Sequence, residues 1–134
     1  MEIKKPDGTV VKWLPYSSVD TEIDFFAIDH LGLYYQQDDI LAYCACWLEC
    51  DEDKEVEIRV GSDDGYKLWL DHELIGEQHV YRCAAIDQEI YPVKLSKGWH
   101  LILIKVDQDY GDFKFMLRVV TPDGRKVPGI KVWN

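Results

Sequence analysis

Nowhere does this chain repeat its apolar residues at the 3.6-residue spacing of a capped helix; short β-rich runs separated by turn residues fill it instead. Residues 54–60 show the pattern most plainly, with Val56, Ile58 and Val60 on one parity and Glu55, Glu57 and Arg59 on the other. Successive strand side chains point to opposite faces, so such a run has one dry side and one wet side. Residues 40–50 are apolar on both parities until near the end, as a central strand should be.

Further runs at 10–13, 22–27, 66–70, 73–80, 90–95, 99–106, 113–120 and 130–133 are divided by turns. Among these are Pro6-Asp7-Gly8, Gly61-Ser62-Asp63-Asp64-Gly65, Ser96-Lys97-Gly98, a polar turn at 108–111, and Thr121-Pro122-Asp123-Gly124. Asp71-His72 is placed to turn a hairpin. Eight to ten strands at near-regular spacing predict an all-β antiparallel β-sandwich or jelly roll. Residues 1–134 hold no internal repeat or linker and read as a single domain. Tyr66, Leu68, Leu70, Leu101 and Leu103 are expected inside, and Trp47 and Trp99 with them. Trp69, off the Tyr66/Leu68/Leu70 parity, is expected to pack under a crossing loop, with an exposed platform as the alternative.

Net charge is −10, and 19 of the 25 acids but only four of the 15 bases lie between Asp20 and Glu89. That field repels phosphate backbones and anionic lipid, so neither nucleic acid nor membrane is an expected partner. It also favours neutral sugars over polyanionic ones. No segment approaches the roughly 20 apolar residues of a membrane span, and the N-terminal residues lack a signal peptide's apolar stretch. Cys44, Cys46 and Cys50 share one parity, where i, i+2 neighbours lack disulfide geometry. With Cys83 they form no paired CxxC, so they read as small buried hydrophobes with free thiols. In a secreted module, free thiols suit an oxygen-poor source.

Gly61-Ser62-Asp63-Asp64-Gly65-Tyr66-Lys67-Leu68-Trp69-Leu70, then Val93-Lys94-Leu95-Ser96-Lys97-Gly98-Trp99, then Leu101-Ile102-Leu103-Ile104-Lys105-Val106 form an ordered set. The set resembles the galactose-binding-like accessory β-sandwiches found beside bacterial polysaccharide-degrading enzymes, including the sugar-binding domain of glycoside hydrolase family 2. The Ser-Asp-Asp-Gly turn is also similar to the anthrax protective-antigen type of sandwich. The likeness covers roughly the C-terminal two-thirds. It implies a carbohydrate-binding module joined to a catalytic domain in a longer secreted chain. Such domains carry Asn-Gly where this chain has Asp71-His72, and Asn where it has His100; His tolerates a left-handed backbone poorly, so a longer hairpin or another turn type is expected there, and neither change is expected to add chemistry.

Tyr34-Tyr35-Gln36-Gln37-Asp38-Asp39 combines rings that stack on a pyranose C–H face with amides and carboxylates that bind hydroxyls. Tyr34, Tyr35, Gln37 and Asp38 are therefore candidate sugar ligands, joined by Tyr81, Arg82 and Tyr110 from other turns. Tyr34 and Tyr35 would equally serve to cap the core. Asp63 and Asp64 read as turn acceptors for backbone N–H groups, so no cofactor is expected. A calcium ion on the paired carboxylates is the alternative, and in protective-antigen-like adhesins such a pair does bind calcium with sugar.

His30, His72, His79 and His100 lack metal-ligand spacing, and no nucleophile elbow or phosphate loop occurs. The many carboxylates fall on turns and alternating faces and read as solvated surface, so no enzyme is expected. Two functions remain: a polysaccharide- or oligosaccharide-binding module, or a structural domain that packs on a catalytic domain and binds no sugar.

Overall fold

The protein, as a computed structural model, is described over residues 2–34 and 37–134, with His30 described by its backbone alone. Eleven strands carry the described chain: β1 (Glu2–Lys4), β2 (Val10–Lys12), β3 (Glu22–Asp24), β4 (Ile40–Cys50), β5 (Lys54–Asp63), β6 (Gly65–Leu70), β7 (Glu73–Gln78), β8 (Glu89–Leu95), β9 (Gly98–Gln108), β10 (Lys114–Val120) and β11 (Ile130–Trp133). Two 3₁₀ turns, Phe25–Ala27 and Asp29–Leu31, supply the remaining regular structure. The chain is all-β, and every strand pair is antiparallel. Among the described residues no helix is long and apolar enough to cross a membrane.

A four-stranded sheet in the order β3-β10-β5-β8 and a five-stranded sheet in the order β11-β4-β9-β6-β7 build the body, and β1-β2 is a separate hairpin. The core joins Val56, Ile58, Val60 and Phe115 of the first sheet to Leu48, Leu68, Ile102, Ile104 and Val106 of the second. The arrangement is sandwich-like, and β5 alternates as its sequence requires. Phe25 closes one margin against Phe113, ring centroids 4.3 Å apart.

Several expectations are corrected. The stretch 61–65 is not a tight turn: β5 runs to Asp63 and β6 starts at Gly65, so the chain passes between sheets at Asp64. Crowding explains both glycines, since a Cβ on Gly61 would lie 1.7 Å from the Ala85 carbonyl oxygen and one on Gly65 would meet Asp107 and Gln78 at 2.7 Å. The strand expected at 22–27 stops at Asp24, whose carboxylate accepts from Phe26 N–H and starts a 3₁₀ turn. Tyr66, Leu68 and Leu70 are buried, but Leu101 and Leu103 are only half-buried and Ile102, Ile104 and Val106 fill the core. Trp47 and Trp99 also lie outside, 45% and 55% exposed. On β4 and β9 both parities are apolar, so alternation did not say which one faces in.

The Asp71-His72 hairpin closes in two residues, with Leu70 opposite Glu73. Both turn residues have positive φ, +49° and +72°, the left-handed backbone of a type I′ turn. Cys44, Cys46 and Cys50 point inward, whereas Cys83, read from the sequence as buried, is exposed on the β7–β8 loop; all four cysteines are free thiols. Burial pushes the Cys44 thiol up to about 12, with Cys46 adding to the effect, so it is unreactive at neutral pH.

Candidate functional site

Three loops meet at Asp64. Its Oδ1 accepts the Arg82 backbone N–H at 3.0 Å and its Oδ2 accepts the Asp109 N–H at 3.1 Å. Its own N–H donates to Asp107 O at 3.0 Å, and its carbonyl accepts from Ser62 Oγ at 2.6 Å. Asp39 N–H then donates to Asp109 O at 3.1 Å, tying in the β3–β4 loop. This is the turn-acceptor role read from the sequence, extended from one turn to three loops. Both Asp64 carboxylate oxygens are taken by backbone donors. Among the described residues no group of three His, Cys, Asp or Glu side chains is arranged to hold a metal ion.

The β7–β8 loop, residues 79–88, is fastened at both ends. Arg82 grips Glu89 through two parallel bonds of 2.6 and 2.7 Å and also donates to Ser62 O and Oγ. Bidentate pairing of this kind is directional as well as strong. The Arg82 guanidinium holds the Glu89 carboxyl below the usual range despite opposing burial. Tyr66 closes the frame, its hydroxyl 3.2 Å from Glu89 and 2.5 Å from the Tyr91 hydroxyl. Further along, Asp87 binds both Arg59 and Arg118, and Gln88 Oε1 accepts Ser62 N–H at 3.0 Å.

What this frame presents to solvent is tyrosine. Tyr34, Tyr81 and Tyr110 are 69%, 71% and 73% exposed. The Asp109 carboxylate beside the Tyr81 hydroxyl, which donates to it, raises that phenol's pKa, and Asp64 and Asp39 add to the effect. Tyr81, Asp109, Asp39 and Asp64 thus share one locality, with Tyr110 next in the chain.

Asp38 is exposed, Gln37 is half-buried with its N–H on Tyr34 O, and Tyr35 lies outside the described residues. Arg82 is present in the cluster, but its guanidinium is committed to Glu89 and Ser62, so it supports the loop from below. Asp109 lies outside the residues read from the sequence, and Asp39 entered only as the end of the 34–39 segment. No local signal marks Asp109, because its place beside Tyr81 arises from contacts between distant loops.

A second surface is the outward face of the five-stranded sheet. Leu41, Tyr43, Trp47, Trp99 and Trp133 are each about half exposed there. Trp133 lies opposite Trp47 in register, and its ring centroid is 6.0 Å from that of Trp99. Its Nε1–H donates to Glu49 at 3.2 Å. Beside them Trp69, His72, Leu101 and Leu103 line a shallow depression of about 210 Å³.

No family model, no curated protein and no solved structure matches the chain. Geometry alone bears on its function.

Proposed function

We propose that the chain is a non-catalytic carbohydrate-binding module with a galactose-binding-like jelly roll, attached to a polysaccharide-degrading enzyme within a longer secreted protein. One observation carries the proposal: exposed Tyr81 stands beside Asp109, with Asp39 near it, where Asp64 and Arg82 hold the loops in place, and exposed Tyr110 and Tyr34 lie on the loops of Asp109 and Asp39. Rings of this kind stack on the apolar face of a pyranose, and carboxylates accept its hydroxyls. Loops fixed in advance lose little freedom on binding. The local negative charge turns selection toward neutral β-linked or galactose-containing chains. Affinity for a single chain should lie at about micromolar to millimolar Kd.

The test is retention in affinity gels over a panel of neutral polysaccharides. Replacing Tyr81 and Tyr110 with Ala should abolish retention and leave the melt unchanged, since exposed loop residues contribute little to stability. A chelator should not alter retention, because Asp63 and Asp64 act as backbone acceptors. A wild-type protein that binds nothing on a broad panel would defeat the proposal.

The second reading, a domain that packs on a protein neighbour, draws on the outward sheet face. Half-exposed Trp47, Trp99 and Trp133 with Leu41 and Tyr43 make a broad apolar surface of the kind that marks association sites. On that reading the glycan panel is silent, and Trp47→Ser with Trp99→Ser reduces binding of an apolar dye without loss of stability.

A further inference from the structure

β4 has eleven residues, Ile40–Cys50, and β9 pairs with it along its whole length. On the opposite side β11 covers only Trp47 to Cys50. Among the described residues no strand pairs with the backbone edge from Ile40 to Cys46. Burial changes where β11 begins: inward-facing Ile40, Ala42, Cys44 and Cys46 are half-buried, whereas Leu48 and Cys50 are buried. The segment 13–20 passes the end of β11, where Asn134 Nδ2 donates to Tyr16 O and Ser17 Oγ. Among the described residues no backbone hydrogen bond joins that segment to β4.

A bare edge offers a row of unpaired N–H and C=O groups, and proteins ordinarily protect it with charge, proline, a bulge or brevity. Every other edge here is protected in that way. β8 carries Pro92 and Lys94, β7 carries Glu73 and Glu77 beside a register shift, and β3 is three residues long with Glu22 and Asp24. β11 is four residues long with Lys131. The part of β10 beyond β3 holds Arg118 and ends in the Val120–Lys126 bridge. Ile-Leu-Ala-Tyr-Cys-Ala-Cys has none of these devices and is apolar on both faces.

We propose that this edge of β4 is a strand-pairing site for a second copy of the chain, β4 against β4 in antiparallel register about a two-fold axis. An antiparallel pair of identical edges is self-complementary, so the contact closes as a dimer and cannot propagate. Pairing would satisfy the free backbone groups and cover inward Ala42, Cys44 and Cys46. Outside, Leu41, Tyr43 and Ala45 of the two copies would form one stripe across a ten-stranded sheet. A peptide or a neighbouring domain would have to supply an equally long extended apolar edge, which this chain already has.

Light scattering on the purified protein over about a hundredfold concentration range reads the state directly. The expected mass is twice the 15.7 kDa of one chain. Tyr43→Lys with Ala45→Lys places charge on outward, exposed positions of the edge. That variant should be monomeric and melt as the wild type does when diluted to monomer, while Trp99→Ser, on the same face but off the edge, stays dimeric. Should the lysine variant fail to fold, amide exchange on the wild type decides: exchange at residues 41–45 must quicken as the protein is diluted. A monomer at every concentration overturns the proposal. So does a dimer that survives both lysines, or one that Trp99→Ser abolishes.

Discussion

Asp71 and His100 show how a side chain acquires its meaning from a partner far away in the chain. Each stands where the resemblance read from the sequence led one to expect Asn, and the two differences are one contact. His100 Nδ1 lies 2.6 Å from Asp71 Oδ2 and Nε2 lies 2.8 Å from Ser96 O. The second Asp71 oxygen accepts Leu101 N–H at 2.8 Å, which locks the hairpin turn against β9. With an acceptor at each nitrogen the imidazole is held as a cation: burial opposes the charge, but Asp71 and Ser96 outweigh it and raise the pKa. Asp71→Asn keeps the Leu101 bond and tolerates the left-handed backbone, so it isolates the charge. Asp71 is half exposed, 47% at the side chain, which puts the expected loss at only about 1 kcal/mol, at the low end for a charge-assisted bond. Denaturant melts should show that loss at pH 5.5, below the ordinary histidine value, and the loss should shrink as pH rises through the raised value of the folded His100. An equal loss across that range would mean that the carboxylate charge plays no part.

At the scale of elements, the β7–β8 loop has no regular structure yet is among the best-fastened segments. Arg82 is its keystone, and its removal leaves Glu89 half-buried without its cation. Arg82→Met should cost roughly 2–3 kcal/mol, less than the range of about 3–5 kcal/mol for a fully buried pair because both side chains keep some exposure, and should weaken glycan retention because Tyr81 loses its support. A variant with full stability would show that the loop is held by its Asp87 and Gln88 contacts alone. The same loop marks the boundary of what the sequence discloses. β5 and β6 could be read from alternation because one of their faces is polar or crowded. β4 and β9 could be placed but not oriented, since apolar residues on both parities leave the inward face to be chosen by register with other strands. That is why Trp47 and Trp99 emerged outside. For the candidate site, Tyr34, Tyr81 and Tyr110 were legible as aromatic residues in polar turns. The convergence of Asp39, Asp109 and Tyr81 on Asp64 was not, because it depends on pairings between residues tens of positions apart.

Across the whole molecule, Asp63 and His100 are among the buried groups that bind protons more tightly in the folded chain than in the unfolded one. Burial raises Asp63 to about 6, with Asp64 and Asp112 adding repulsion that Lys114 and a backbone bond from Ala84 only partly offset. His100 is raised as well. For groups with raised pKa the stabilising effect is complete below the unfolded values, about 3.9 for Asp and 6.5 for His, and is lost as pH rises through the folded ones. Glu89 and Asp87 are lowered by their arginines and act oppositely, losing their contribution as pH falls below the ordinary carboxylate range. Together these opposing slopes place maximum stability in acidic solution, at roughly pH 4–5, with decline through pH 6 as Asp63 ionises and further decline as His100 loses its proton. The net charge of −10 acts in the same direction, since partial protonation relieves repulsion among the acids. Asp63→Asn separates the local from the global effect. The amide matches the carboxyl in shape and keeps an acceptor for Ala84, but it carries no charge into a site only 4% exposed. It should raise stability at pH 7.5 by about 2 kcal/mol, by much less at pH 4, and flatten the profile between about pH 4 and 6. Thermal melts of both proteins from pH 4 to 9 provide the comparison. If the variant instead melts lower at pH 7.5, the Asp63 carboxylate serves as a charged ligand or partner, and its burial is not the strain argued above.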